Sequence, residues 1–368
     1  MKVILAGGGT GGHIYPAVAI AREILERYEK ADILFIGTER GMESSIIPRE
    51  GFSFRKIKVR GFMRKMAFEN VIAVKENLLS LIECRRIIKS FKPDIVIGTG
   101  GYVCGTMLMT AALSGIPTLI HEQNAFPGIT NRILSRFVDK IALTFQEASD
   151  YFHSKDKILV TGNPLRVEIT KIGKNDGMAA FGFDEKKPLL LIIGGSRGAK
   201  KINESITLIA ADCEKNREFQ LLHMTGESQY ESVISLYKKK GIPYNTSYLK
   251  VMPYIHNAPY ALAAADLIIS RCGAGLISEI TALGKPSILI PYPYATDNHQ
   301  EYNARALEKY GAANVILEGG LNESMLFSQV KKLLSNPDKM KDMALNSKRL
   351  GKPNAASDIV EVIEALLN

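Results

Sequence analysis

The densest group of polar side chains with usable chemistry lies in residues 271–304, RCGAGLISEITALGKPSILIPYPYATDNHQEYNA. Gly273 and Gly275 predict a tight turn, followed by a helix with Leu276, Ile277, Ile280 and Leu283 on its apolar stripe. Gly284-Lys285-Pro286 stops that helix, residues 287–290 read as a short strand, and a Pro/Tyr-rich loop closes on Asn298, His299, Gln300 and Asn303. Backbone N–H groups at a helix start can hold a diphosphate. Glu279 has the acceptor oxygens to bridge two vicinal ribose hydroxyls, and Gln300 can grip a sugar. An ordinary α/β unit with a polar surface loop would share this spacing.

A second group opens the chain. Gly7-Gly8-Gly9-Thr10-Gly11-Gly12 fits GxGxxG through Gly7, Gly9 and Gly12, just after a strand. That pattern admits a nicotinamide dinucleotide, but the acid expected at the end of the second strand is not cleanly there: the strand ends Gly37-Thr38, and Glu39 only follows. A P-loop fits worse still, because His13 stands where Lys is needed. The loop is nearly bare of side chains, so its backbone can approach a ligand closely. His13 either caps its own turn or meets the substrate, where an imidazole can take a proton near neutral pH. Gly98-Thr-Gly-Gly-Tyr-Val-Cys-Gly105 repeats the strand-to-helix glycine turn, and His121-Glu-Gln-Asn124 places four polar residues at a strand end.

A third group is basic. Arg55, Lys56, Lys58, Arg60, Arg64 and Lys65 give six bases in eleven positions without an acid, interleaved with Phe62, Met63, Met66 and Phe68. An amphipathic helix through Val71, Val74, Leu78 and Leu81 is expected to follow. Bases beside exposable apolar residues suit an anionic membrane surface; a basic RNA-binding patch or a solvated loop is also compatible. The formal charge of +9 points the same way, towards an acidic partner.

The elements that must carry these groups follow from the alternation of apolar runs and helical periods. Strands are expected at 2–6, 33–36, 54–59, 95–98, 118–121 and 140–143, and the first helix at about 16–28. A crossover at Thr161-Gly-Asn-Pro-Leu-Arg166 leads to a second series, at 189–193, 219–223, 247–250, 267–270, 287–290 and 314–317, with a glycine turn at 194–199 and a helix to about 211. Regular alternation predicts parallel doubly wound sheets, whose ligands sit at the carboxyl ends of the strands. The 368 residues therefore read as two Rossmann-like domains facing a central cleft: 1–163 with 350–368, and 164–349, the last helix at 355–367 crossing back. Cys84, Cys104, Cys213 and Cys272 are scattered, without a CxxC pair, as in a reduced cytosolic protein. The N-terminus runs straight into a strand, no signal peptide is expected, and no apolar run reaches transmembrane length.

Taken together, GGGTGGHIYPAVAIA, GTGGYVCG, HEQNAFPG, GNPLR, GGSRGA, GLISEITALGKPSILIPYP and NHQEYNA occur in the order in which the MurG family of glycosyltransferases carries them. The chain resembles that family over essentially its whole length. The resemblance implies a GT-B fold, with acceptor and membrane contacts in the first domain and the UDP-sugar donor in the second. It implies inverting transfer of N-acetylglucosamine from UDP-N-acetylglucosamine to the 4-hydroxyl of the muramoyl sugar of lipid I, giving lipid II for peptidoglycan. It further implies peripheral attachment at the cytoplasmic face of the cell membrane, other cell-wall synthesis proteins as further partners, and no nucleic acid, cofactor or metal.

Carried over position by position, the resemblance puts Thr10, Gly11 and Gly12 beside the transferred sugar, with Asn124 near it. Arg166 sits by the donor and Ser196 contacts its phosphates. Ile255 presents backbone to the uracil; Ala274, Gly275, Leu276, Ile277, Ser278 and Glu279 hold the nucleotide, Glu279 on the ribose; and Gln300 holds sugar hydroxyls. The chain departs from relatives in Gly273-Ala274-Gly275, whose third position can hold a bulkier residue in them, and at His299, where some carry a second Gln. His13 is the expected base, with Glu122 as the rival. The chain has no Asp-x-Asp pair to hold a catalytic metal, so helix N-termini and basic side chains must neutralise the leaving diphosphate. Two alternatives stay open: a GT-B transferase with another acceptor, and a dinucleotide-dependent oxidoreductase or non-catalytic nucleotide-binding protein.

Overall fold

The computed structural model describes residues 1–59, 68–195 and 198–368, and their side chains except those of 68–78, 167 and 168. The expected contacts of Arg60, Phe62, Met63, Arg64, Lys65, Met66 and Ser196, and the side chains of Phe68, Val71, Val74 and Leu78, lie outside that description. The chain divides into two units, Met1–Leu165 with Lys352–Asn368, and Arg166–Gly351.

The first unit is built on β1 (Lys2–Gly7), β2 (Asp32–Gly37), β3 (Ser53–Lys56), β4 (Ile95–Gly100), β5 (Thr118–Glu122), β6 (Lys140–Leu143) and β7 (Ile158–Val160). They form one parallel sheet in the order β3-β2-β1-β4-β5-β6-β7. The second holds β8 (Leu189–Ile193), β9 (Gln220–Met224), β10 (Leu249–Met252), β11 (Leu267–Ser270), β12 (Ser287–Leu289) and β13 (Ala313–Val315), all parallel, in the order β10-β9-β8-β11-β12-β13. Helices cover both faces of such sheets, which is why β4, β5, β8 and β9 are buried along their whole length; β8, LLLII, is an unbroken apolar run, while β5 and β9 bury polar residues as well. Each order reverses at one place, β1 beside β4 and β8 beside β11, and there the loops after the strands part to leave a ligand crevice.

The differences from the sequence expectation are local. The first helix runs Gly11–Arg27, starting five residues early, so that Pro16, expected to open it, lies inside it in the second turn. β3 stops at Lys56, where its partner β2 ends at Gly37. β7 was not expected, and three residues carry too little pattern to show. The helix expected through 211 is two, Lys200–Ser205 and Thr207–Asn216. Gly273 and Gly275 form no tight turn: Gly273 is extended (φ −67°, ψ 138°) and caps the helix Ala274–Ala282, which contains Gly275.

One helix closes the first unit. Ile359, Val360, Val362 and Ile363 of Ala355–Leu367 join Ile14, Ile20 and Ile24 of the first helix in one apolar cluster. Burial of four such side chains contributes on the order of 6–12 kcal/mol before entropy is counted. Arg27 fastens the contact, donating to Glu364 at 3.2 Å and to the Ser357 hydroxyl at 2.6 Å. All four cysteines are buried and unpaired, and burial pushes the thiols of Cys84, Cys104 and Cys213 up to about 12.

Candidate active site

In the first unit the glycine turns after β1 and β4 meet at the sheet's carboxyl edge. Gly8 N–H donates to the Gly100 carbonyl at 3.3 Å, and the β1–β4 register shifts between Ala6 and Gly7 to allow it. Two glycines are obligatory for this approach. Gly100 (φ +116°) has the His13 ring where a Cβ would stand, 2.6 Å from Nδ1, and Gly101 (φ +88°) has the Gly8 carbonyl oxygen at 2.7 Å.

The first loop is held from beneath by a residue the sequence did not single out. Glu43, fully buried, accepts from Gly9 N–H (2.9 Å), Thr38 N–H (2.9 Å) and the Thr38 hydroxyl (2.8 Å). Burial acts to raise its pKa, but these donors win and the carboxyl is held below its ordinary range. Glu43 is thus spent on the protein's own loops and is not available as a ribose-binding acid; Glu39, just after β2, is exposed and pairs with Lys56 at 3.2 Å.

His13 does not cap its own turn. Its Nδ1 lies 2.9 Å from Gln123 Oε1, while Thr99 Oγ1 donates to the His13 carbonyl at 2.8 Å. Gln123 Nε2 is 2.8 Å from the Thr99 carbonyl and 2.9 Å from His121 Nδ1, and His121 Nε2 lies 2.9 Å from the Gly162 carbonyl. Burial holds His121 down at about 4, so it is neutral. Thr10, Gly11, Gly12 and His13 thus stand together at one helix start, with His121 and Gln123 at the end of β5 behind His13.

Glu122 is removed as the rival base. Its Oε1 takes the Asn124 N–H (3.0 Å) and Nδ2 (3.4 Å), and its Oε2 takes the Gly128 N–H (3.1 Å) and Asn131 Nδ2 (2.8 Å). A buried carboxylate with four donors shapes the 122–128 loop and the Asn124 backbone; it has no lone pair left for a substrate proton.

In the second unit the helix Ala274–Ala282 starts at the edge after β11. Its first intrahelical bond is Ile277 N–H to the Gly273 carbonyl, so the N–H groups of Ala274, Gly275 and Leu276 remain for an anion. A Cβ on Gly273 or Gly275 would meet nothing within 4 Å, so the space above this turn is open. Ile277 faces the core and the Ser278 hydroxyl donates to the Ala274 carbonyl at 2.8 Å, so neither side chain is offered outward. Arg166 donates through Nε (3.0 Å) and Nη2 (2.7 Å) to the same oxygen, Glu279 Oε1. Burial raises the Glu279 pKa and Arg166 only partly offsets it.

Gln300 has a fixed orientation. Its Oε1 accepts from Cys272 N–H (3.2 Å) and Tyr292 N–H (3.0 Å), so its amide NH2 is the end left to present. His299 turns Nδ1 onto the Thr296 carbonyl at 2.7 Å, within its own turn. Asn303 ties the same loop, donating to the Cys272 carbonyl at 3.1 Å. Ile255 is buried on the loop after β10 and offers backbone only. Among the described residues no cluster of His, Cys, Asp or Glu could hold a metal ion.

Of these groups, Gln123 lay inside a motif the sequence had marked, whereas Glu43 and Thr38 gave no signal: a Glu in a short helix after a glycine looks like any exposed residue. Comparison with known proteins supplies the lineage. Residues 3–143 match the glycosyltransferase family 28 N-terminal domain and residues 189–359 its C-terminal domain. A UDP-N-acetylglucosamine–N-acetylmuramyl-(pentapeptide) pyrophosphoryl-undecaprenol N-acetylglucosamine transferase of Thermoanaerobacter sp. (strain X514) is 50% identical, with 100% of both chains covered. One of the same description from Listeria monocytogenes serotype 4a is 45% identical, again over 100% of both. The crystal structure of Acinetobacter baumannii MurG superposes with a TM-score of 0.80 at 30% identity, covering 99% of each chain. A UDP-GlcNAc 2-epimerase from Neisseria meningitidis shares the fold alone, with a TM-score of 0.70 at 17% identity over 99% of this chain and 100% of that one. Full-length likeness at this level, with both domain models matched in order, means that the chain belongs to glycosyltransferase family 28, with MurG-type transferases as its relatives.

Proposed function

We propose that this enzyme moves N-acetylglucosamine from UDP-N-acetylglucosamine to the 4-hydroxyl of the muramoyl sugar of lipid I, with inversion, giving lipid II. The observation that carries this reading is the full-length identity of 50% to transferases of that description. In the reaction His13 takes the acceptor's proton as its oxygen bonds to the anomeric carbon. The bond from that carbon to the UDP oxygen breaks, and the diphosphate leaves with the electron pair. The first-turn N–H groups at Ala274, Gly275 and Leu276 receive its charge, Glu279 holds the ribose and Gln300 donates to a sugar oxygen. Ser196, Ile255, Arg166 and Asn124 complete the donor contacts. The decisive assay incubates labelled UDP-N-acetylglucosamine with a short-chain lipid I analogue. Transfer with UDP release is expected; no transfer, together with tighter binding of NAD than of UDP, would overturn the assignment.

The enzyme works on a membrane-bound acceptor from the cytoplasmic face, as a peripheral protein. No described helix is long and apolar enough to cross a membrane. Support comes from the basic run Arg55–Lys65 and from exposed apolar residues on two helices that each pack against the helix Tyr102–Leu113: Leu79 and Ile82 on one, Ile129 and Ile133 with Arg132 between them on the other. Each base near an anionic surface contributes about 1 kcal/mol. Charge reversal at Arg60, Arg64 and Lys65 is expected to reduce sedimentation with anionic vesicles while a soluble acceptor analogue is still turned over. Equal sedimentation of both proteins would rule that run out.

A further inference from the structure

We infer that Gln123 is a positioning residue that fixes the tautomer of His13, holding its proton on Nδ1 and leaving Nε2 as the atom that receives the acceptor's proton. The inference rests on the reading of His13 as base, and adds which of its atoms does the work and what selects it.

The argument runs through atoms that can only accept. Gln123 Nε2 and Oε1 look alike in shape, but one end of the amide lies 2.8 Å from the Thr99 carbonyl oxygen and 3.2 Å from that of His121. A carbonyl cannot donate, so the NH2 must be at that end. The amide oxygen then faces His13 Nδ1 at 2.9 Å, and an amide oxygen cannot donate either. His13 Nδ1 must therefore carry the hydrogen. In the neutral ring this leaves the lone pair on Nε2, which has no protein partner among the described residues.

The amide is itself held from the other side. His121 Nε2 is 2.9 Å from the Gly162 carbonyl, so its hydrogen sits on Nε2 and its Nδ1 accepts from Gln123 at 2.9 Å. His121 is fully buried and neutral, so it cannot turn into a double donor that would flip the amide. The hydrogen bonds thus run in one direction, from His13 Nδ1–H to Gln123, from Gln123 to His121 and from His121 to Gly162. Gly100 completes the fit, because a Cβ there would stand 2.6 Å from His13 Nδ1. A free imidazole favours the proton on Nε2, the wrong nitrogen for a base at that atom, so without Gln123 the ring is expected to revert.

The test is a spectroscopic one on the full-length enzyme with 15N-labelled histidine, with the His13 signals assigned by their loss in His13→Gln. In the unaltered protein His13 is expected to show the proton on Nδ1, a readout that does not depend on the fold of any Gln123 variant. In Gln123→Met, of similar shape but without the amide, the proton should move to Nε2. There kcat should fall about 10–100-fold while KM for UDP-N-acetylglucosamine stays within about twofold. An unaltered protein with the His13 proton on Nε2, or a folded Gln123→Met with the tautomer unchanged, overturns the inference. Failure of the base assignment looks different: His13→Ala would retain kcat while the wild-type spectrum still placed the proton on Nδ1.

Discussion

Replacing Glu279 with Ala separates the donor site from an ordinary helix start. Arg166 Nε and Nη2 both donate to Oε1, so Oε2 is the oxygen that the proposed ribose contact would use. The loss is therefore worked as one charge-assisted hydrogen bond rather than two, about 1.5–3 kcal/mol. At about 1.4 kcal/mol per tenfold, the UDP Kd should rise about 10- to 150-fold. Titration calorimetry with UDP and 2′-deoxy-UDP reads this directly. The wild type should discriminate between the two nucleotides, and Glu279→Ala should bind them alike; Glu279→Gln, which keeps an acceptor for Arg166, should fall between. The pH sign also follows. Burial raises the Glu279 pKa, so as pH falls the carboxyl is neutralised earlier than an ordinary one, and wild-type affinity should weaken first above the usual carboxylate range. The difference from the Glu279→Ala profile removes the nucleotide's own titration. A variant with unchanged UDP affinity, or one that still discriminates as the wild type does, refutes the placement of Glu279 on the ribose.

Three further outcomes are expected. His13→Ala should lower kcat about 10²–10⁴-fold with little change in donor KM, and a His13→Asn profile that keeps the acidic limb of kcat/KM in place would count against the titrating-base role. Gly100→Ala should lower both activity and thermal stability, because its φ of +116° is strained for Ala and the Cβ meets His13; a Tm and kcat equal to wild type would contradict the packing. His121, held near 4 in the folded chain against an ordinary 6.5, makes the unfolded state bind more protons between those values, so stability is full above about 6.5 and is lost as pH falls towards about 4. The shift corresponds to about 3 kcal/mol at most, and urea unfolding of wild type and His121→Gln at pH 7 and pH 4.5 should show the smaller pH dependence in the variant.

The fold was legible because its signals are long or repeated. Buried parallel strands such as β1, β4, β8 and β11 are apolar runs ending in glycine or polar turns, and two such series in one chain mean two sheets. What escaped was short or depended on partners far off in sequence. β7 pairs only through three residues with β6, and the end of β3 is set by the end of β2. The site divided the same way. Arg166, Glu279 and Gln300 stood in marked motifs, but that Arg166 Nε and Nη2 converge on one carboxylate oxygen, and that two backbone N–H groups orient the Gln300 amide, are facts of geometry. Glu43 was invisible for a stronger reason: its partners, Gly9 and Thr38, lie on other loops, and no local pattern marks an acid that turns inward.

The second unit carries a near-copy of the His121 arrangement, and the comparison decides what such a network means. Asn203 Nδ2 donates to the Thr225 carbonyl at 3.0 Å, which turns its Oδ1 to His223 Nε2 at 3.0 Å. Burial holds His223 down at about 3, and its Nδ1 meets the Tyr237 hydroxyl at 3.3 Å. As in the first unit, an amide oriented by a carbonyl fixes the tautomer of a buried, neutral histidine. Here the chain of bonds ends on Tyr237, which has no exposed surface, so the network can only bind the unit's own core together. In the first unit the amide is shared by two histidines, and the second of them, His13, stands half-buried at the helix start with one nitrogen unclaimed. A buried histidine network is thus a packing device by default. The proposed base role of His13 depends on one end of the network reaching a ring whose second nitrogen has no partner among the described residues, and the first unit has that end while the second does not.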